Sequence, residues 1–320
     1  MAKKKSVFRG REAMVFLIII GLAIVFSILS PTFRTYATVV SVFNSTFYIA
    51  LMAIGVAFPI ITGGVDLSIG TGLVSYALIG GFLVIHKNMP VAAALIVTVV
   101  LGILIGLFNG VVIAIMDIPP FLATLCTCMI TRGLGPALCG GFGVSWPSAT
   151  SDQGWFRLAF KFTTAEGTVI PVGIVLILAL VLIMQFVLGH TKVGRYTIAI
   201  GSNKEATRLA GVNVKFYHIF AYVICGFFAG LSGIAYAATF PTIYPGLGAG
   251  FEMDAIGGAI VGGISPSGGT GSVVGAFLGV LVIVLLKVGL PFIGLQANWQ
   301  QIVTGLVLIA AVLIDVRKKK

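Results

Sequence analysis

Ile61-Thr62-Gly63-Gly64-Val65-Asp66-Leu67-Ser68-Ile69-Gly70-Thr71-Gly72 lies between two long apolar runs, yet holds an acid, three hydroxyls and four glycines. The frame returns at Ile260-Val261-Gly262-Gly263-Ile264-Ser265-Pro266-Ser267-Gly268-Gly269-Thr270-Gly271. At an offset of 199, Ile61, Gly63, Gly64, Ser68, Gly70, Thr71 and Gly72 meet identical residues, as do Val74 and Ala77 beyond. Ser265 takes the place of Asp66. A shared Gly-Gly and Gly-Thr-Gly frame reads as an internal duplication, and interrupted apolar segments at matching places in two halves point to a transport pathway.

Composition sets the class. Hydrophobic residues are 58% of the 320 and charged residues 9%, against about 25% charged in soluble domains. The expected fold is an all-α polytopic membrane protein, a single domain over 1–320 with discontinuous helices. The formal charge is +11, but much of the excess sits in Lys3, Lys4, Lys5, Arg9, Arg11 and 317–320. Basic residues flanking apolar spans fix orientation and suit anionic lipid, so the balance speaks for a bilayer and against nucleic acid. Cys126, Cys128, Cys139 and Cys225 lie in apolar segments without a histidine or a second cysteine pair, so small buried side chains are expected, with no disulfide and no metal site.

Ten segments are expected: 13–30, 39–62, 67–85, 91–115, 121–139, 169–188, 217–239, 254–266, 273–292 and 299–315. An even number puts both basic tails, 1–12 and 316–320, on the cytoplasmic side. The same count places the basic stretch 189–216 inside and the polar stretch 140–168 outside, with Trp146 and Trp155 at the interface. The segments near 119–139 and 254–272 are the candidates for re-entrant structure.

Charges inside apolar segments are costly and mark candidate sites. Asp66 reads as an N-cap of the third span, compatible with a gating or pathway role. Arg132 has three open readings: pairing with an acid, capping carbonyls, or lying on the path. Asp254 suits an N-cap, and Lys287 suits snorkelling. The pathway candidates are Gly63, Gly64, Asp66, Ser68, Arg132, Asp254, Gly262, Gly263 and Ser265. Tyr48, Asn44 and Asn109 read as polar spots in helix packing. No G-x-x-x-x-G-K-[ST] occurs, so the chain carries no phosphate loop. His86, His190 and His218 sit in or beside loops without catalytic company, so no catalytic residue is expected.

Inside, Gly194-Arg195 leads to Asn203, then Lys204-Glu205-Ala206-Thr207-Arg208-Leu209-Ala210-Gly211. Asn203 reads as a cap, 204–210 as a short helix and Gly211 as its stop. Glu-Ala-Thr-x-x-x-Gly is similar to the coupling-loop motif of ATP-binding-cassette importer permeases, with Thr207 in place of alanine. With Gly63–Gly70, Pro119–Leu125, Gly194–Asn203, Glu205–Val214, Glu252–Ile256 and Gly262–Ser265, nearly the whole chain resembles the ribose/xylose/galactose-type permeases of bacterial ABC importers. Cys126, Cys128 and Ser265-Pro266-Ser267 depart from that pattern. The resemblance implies a permease subunit of the bacterial cytoplasmic (inner) membrane, working with a second permease copy. It also implies a cytoplasmic ABC ATPase docked on Gly194, Arg195, Asn203, Glu205, Ala206, Thr207, Arg208 and Gly211, and an extracytoplasmic sugar-binding protein on the outer loops. This chain would then bind no cofactor, ATP and Mg residing on the ATPase. An ion-coupled secondary sugar transporter, which also has repeats and broken helices, is the alternative; it would normally need more buried acids than Asp66.

Overall fold

Long apolar runs in a low-charge chain have one stable form across a bilayer, helices that satisfy their own backbone. The computed structural model describes residues 10–319 and is built in that way. The tail residues 1–9 and Lys320 lie outside the described residues. The helices are α1 (Gly10–Leu29), α2 (Tyr36–Ile61), α3 (Ile69–Lys87), α4 (Val91–Ala114), α5 (Pro120–Leu138), α6 (Gly173–His190), α7 (Lys192–Ser202), α8 (Lys204–Leu209), α9 (Val214–Thr239), α10 (Phe251–Val261), α11 (Val273–Phe292) and α12 (Ala297–Lys319).

Among the described residues, eight helices are long and apolar enough to cross a membrane: α1 to α6, α9 and α11. The other two expected segments differ. α10 has only 11 residues, and the apolar part of α12 is Asn298–Leu313. The two doubtful stretches thus separate: α5 is one helix, started by Pro119-Pro120 after the turn at Asp117, whereas 254–272 holds a half-length helix and a loop.

α9 is central, packed on α4, α2 and α3. Glycines set how closely. A Cβ built on Gly102 of α4 would lie 2.2 Å from the Gly226 carbonyl of α9, and one on Gly226 would lie 2.1 Å from the Gly102 carbonyl. Gly106 meets the Tyr222 carbonyl one turn on. Small residues four apart let two backbones touch where apolar burial gives no drive. The opposite side of α4 exposes Ile96, Leu104 and Phe108, as a lipid-facing surface should.

The stretch 140–168 is a folded cap. Val144–Ser145 pairs with Thr242–Ile243, and Phe162–Thr163 pairs with Val169–Ile170. Trp146 is buried, not interfacial: it lies against Gly80 and Gly81, and its Nε1 donates to the Ala77 carbonyl at 3.0 Å. Trp155 is exposed. Arg157 is buried, with no acid paired to it among the described residues. Its guanidinium donates to the carbonyls of Ala238 (3.2 Å), Phe240 (3.3 Å), Trp146 (3.1 Å) and Pro147 (2.7 Å). Lys161 donates to the Thr239 carbonyl at 2.9 Å. Two cations thus cover the C-terminal carbonyls of α9, the end where a helix favours positive charge. Burial lowers both pKa values from the ordinary range, and for Lys161 the neighbouring Arg157 adds to the effect.

The cysteines divide. Cys139 and Cys225 are buried as expected, while Cys126 is exposed and Cys128 half-buried. The face of α5 that carries Cys126 also exposes Phe121, Leu122 and Met129, so the apolar run there marks an outward surface, not a core. His218 is likewise a helix residue, buried in α9.

Candidate functional site

The two glycine-rich stretches form two helix breaks that meet. α2 ends with Thr62, Gly63 and Gly64 donating to the carbonyls of Phe58, Ile60 and Pro59. α10 ends the same way, with Gly262, Gly263 and Ile264 donating to Gly258, Ile260 and Ala259. Gly63 (φ 87°) and Gly263 (φ 106°) hold the left-handed position that ends a helix in this manner. The structural register is therefore 200, not 199: Gly63 corresponds to Gly263. Beyond the turn the halves diverge. Residues 62–68 join α2 to α3, whereas the longer 262–272 joins α10 to α11. Gly70-Thr71-Gly72 opens α3, but Gly269-Thr270-Gly271 is still loop. The offset of 199 pairs helix with loop, because small residues serve both.

Ser265 consequently does not stand in for Asp66. It is buried, and its N–H donates to the Thr270 carbonyl at 3.1 Å, closing its loop. The loop then crosses to the other break: Gly269 N–H donates to the Ile61 carbonyl at 2.9 Å. That carbonyl is one of the last of α2, which the helix itself cannot satisfy.

Asp66 is 1% exposed and is not the N-cap itself. Ser68 occupies that position. Asp66 Oδ1 accepts from the Ser68 N–H at 2.9 Å and the Ser68 hydroxyl at 2.6 Å. Asn109 of α4 donates to Ser68 Oγ at 3.0 Å and, more distantly, to both carboxylate oxygens at 3.4 and 3.5 Å. Asn109 Oδ1 accepts from Thr127 of α5 at 2.7 Å. Thr71 and Thr131 share a bond of 2.8 Å higher on the same α3–α5 seam. Asn109, expected only as a packing residue, and the threonines 71, 127 and 131 are thus site residues outside the expected set. The spacing of Thr127 and Thr131, one turn apart on an apolar helix, was the available signal.

The far end of α10 also corrects an expectation. Its cap position is Gly250 (φ 96°), and Glu252 Oε1 accepts from the Gly250 N–H at 3.0 Å. Asp254 lies a turn inside and pairs with Lys287 of α11, whose ammonium also sits over the Phe251 ring at 5.1 Å. Lys287 is therefore held by an acid and a ring instead of snorkelling free. Arg132 makes no hydrogen bond or ion pair among the described residues; it is exposed on α5 beside a narrow cleft shared with Thr71 and Thr131. Of its three readings, acid pairing and carbonyl capping are not realised.

The stretch 189–216 folds as two helices. The lead-in containing Gly194 and Arg195 is α7, capped by Thr191, whose Oγ1 accepts from Gly194 N–H. Asn203 Oδ1 accepts from Ala206 N–H at 2.9 Å, capping α8 as expected. Gly211 stops it at φ 82°. α8 is exposed: Glu205 and Arg208 pair at 3.0 Å on its surface, and Leu209 beside them is 78% exposed. Thr207 alone turns inward. At the end of α7 the packing is tight. A Cβ on Gly201 would lie 1.8 Å from the Ile61 carbonyl and 2.5 Å from Gly269 N. α7 therefore touches both helix breaks at the point where they bond to each other. Of the expected pathway residues, the structure brings Gly63, Gly64, Asp66, Ser68, Gly262, Gly263 and Ser265 to this end. Asp254 lies at the opposite end of α10 from Gly262.

Among the described residues, no group of three or more His, Cys, Asp or Glu is placed to hold a metal ion. Comparison with known proteins adds relatives along nearly the whole length. The chain is 35% identical over 300 residues to the ribose import permease protein RbsC of Escherichia coli (strain K12), covering 92% of this chain and 90% of that one. It is 33% identical to the ribose import permease protein RbsC of Bacillus subtilis (strain 168), over 93% and 90% of the two chains. It is 29% identical to the galactose/methyl galactoside import permease protein MglC of Escherichia coli (strain K12), over 98% and 96%. No solved structure matches. Residues 38–312 match the family described as branched-chain amino acid transport system / permease component, and the chain belongs to that family.

Proposed function

We propose that this chain is the membrane-spanning subunit of an ATP-driven importer of a neutral monosaccharide, ribose or a close relative. The relatives named for ribose and galactose import support the substrate class. The observation that carries the mechanism is the α7–α8 element. Its outer face, with Glu205, Arg208 and Leu209, is free to receive another protein, and its inner face rests on both helix breaks. An ATPase gripping α8 would move α7, and with it the ends of α2 and α10. The apolar face of α5 suits a second permease copy, so that the path runs between copies. The capped outer surface built on 140–168 suits a sugar-binding protein. In this reading the protein sits in the bacterial cytoplasmic membrane with both termini inside. It binds no cofactor itself; ATP and Mg belong to the partner.

The test is photo-cross-linking from position 209 in native vesicles, paired with uptake. Capture of a nucleotide hydrolase is expected, and Gly211→Pro, which cannot adopt φ 82°, should abolish both capture and uptake. Uptake driven by a proton gradient with no hydrolase captured would refute the reading.

A further inference from the structure

Among the described residues, four buried side-chain polar atoms have no hydrogen-bond partner: Asn44 Oδ1, Ser75 Oγ, His218 Nε2 and Glu252 Oε2. In native proteins such atoms are few and tend to mark functional places. Two of the four face the first turns of α3: Ser75 lines a cleft there, and Glu252 stands against Gly70, five residues before Ser75. Ser75 is 1% exposed and stands one turn beyond Thr71 on α3. It lines a cleft of about 10 Å³, room for about one water. Thr131 and Arg132 of α5 form another wall, and Gly246 and Leu247 close it from the α9–α10 connection. Glu252 is 9% exposed. Its Oε1 serves the Gly250 N–H, but its Oε2 is directed at Gly70, the residue before Thr71, where an added Cβ would lie 2.1 Å away.

These groups are complementary in hydrogen bonding. An ionised carboxylate only accepts, a guanidinium only donates, and serine and threonine hydroxyls do both. A monosaccharide presents adjacent hydroxyls that donate and accept in turn. Sites for small molecules combine a few fixed polar groups of this kind with apolar walls, here Val74 and Leu78.

We propose that this cleft is the contracted form of a sugar-hydroxyl subsite on the import path, in which Glu252 and Ser75 take the hydroxyls of a passing neutral sugar and Arg132 donates to them. The inference rests on the import reading above and adds to it where in the chain the sugar is held. A sugar on the path between copies, reaching this cleft beside the exposed Arg132 as it widens, supplies the partners that Ser75 Oγ and Glu252 Oε2 lack when the cleft is closed.

The test uses the full permease in proteoliposomes with its ATPase and binding protein, with D-ribose and D-galactose as probes. The quantity read is sugar accumulated per ATP hydrolysed. Glu252→Gln keeps an oxygen for the Gly250 N–H and replaces the unpartnered acceptor with a donor; Ser75→Ala removes one hydroxyl. Each is expected to lower the ratio at least five-fold for whichever sugar the wild type carries. A residue that only supports folding would lower uptake and hydrolysis together and leave the ratio unchanged. An unchanged ratio in both variants, beside a wild type that accumulates sugar with ATP, overturns the subsite and leaves the import reading standing. A wild type that accumulates neither sugar with ATP, but does so with a proton gradient, overturns both.

Discussion

Gly201→Ala adds one methyl group where α7 meets the two helix breaks, and its cost can be worked from the geometry. The new Cβ would lie 1.8 Å from the Ile61 carbonyl, whereas real Cβ atoms stay beyond 3.0 Å, so the backbones must part by about 1.2 Å. That separation acts on the Gly269 N–H···O=C Ile61 bond, which is 2.9 Å long. Overpacking of this kind costs about 1–3 kcal/mol. A buried N–H or carbonyl left unpaired adds about 1–3 kcal/mol. Replacing a helical glycine returns about 0.5–1 kcal/mol. The net expectation is a loss of about 1–5.5 kcal/mol in unfolding free energy, with faster hydrogen exchange at Gly269. Gly189→Ala is the control, since nothing lies within 4 Å of that site; it should be neutral or slightly stabilising. Reversible unfolding in mixed micelles measures both. A Gly201→Ala protein as stable as the wild type, with Gly269 still protected, would refute the claim that α7 bears directly on the breaks.

Asp66→Ala leaves the Ser68 N–H and the Ser68 hydroxyl without their acceptor, while Asn109 keeps Ser68 Oγ, and should cost about 2–5 kcal/mol in the same assay. Asp66→Asn keeps an oxygen at Oδ1 and should cost roughly half as much; equal losses would mean that acceptance by Oδ1 is not what holds the turn. For Lys161, burial and Arg157 lower the folded pKa below the unfolded value. Between the two values the unfolded chain binds more protons, so stability rises with pH across that window, up to about 10.4, the ordinary lysine value. Lys161→Met should flatten this part of the stability–pH curve; an unchanged slope would show that Lys161 is not its source.

What was legible in the sequence was whatever small residues and apolar length encode locally. Gly63, Asn203 and Gly211 announced helix ends because only a few residue types suit those backbone angles. Pro119-Pro120 announced the start of α5 for the same reason. What was not legible depended on partners far along the chain. Asn109 reads as a packing residue because its companions, Ser68 and Thr127, are 41 and 18 residues away on other elements. Arg157 does not stand out within the polar stretch 140–168, because two of the carbonyls it serves lie some eighty residues on, at the end of α9. Asp254 looked like a cap because Lys287, its actual partner, is on the next helix. The repeat was visible, but its register was not: glycines that end a helix and glycines that line a loop read alike until the hydrogen bonds are seen.

The unequal joints between α2–α3 and α10–α11 have a mechanical consequence. The shorter one is braced along its length by Asp66, Ser68 and Asn109, so it behaves as a stiff elbow that turns its two helices together. The longer one is tied at separate points to three other helices: Gly269 N–H to the Ile61 carbonyl of α2, and the Ser272 hydroxyl to Glu12 of α1 and Gln185 of α6. The two joints of the duplicated bundle therefore answer to different neighbours: the short one to α4, the long one to α1, α2 and α6.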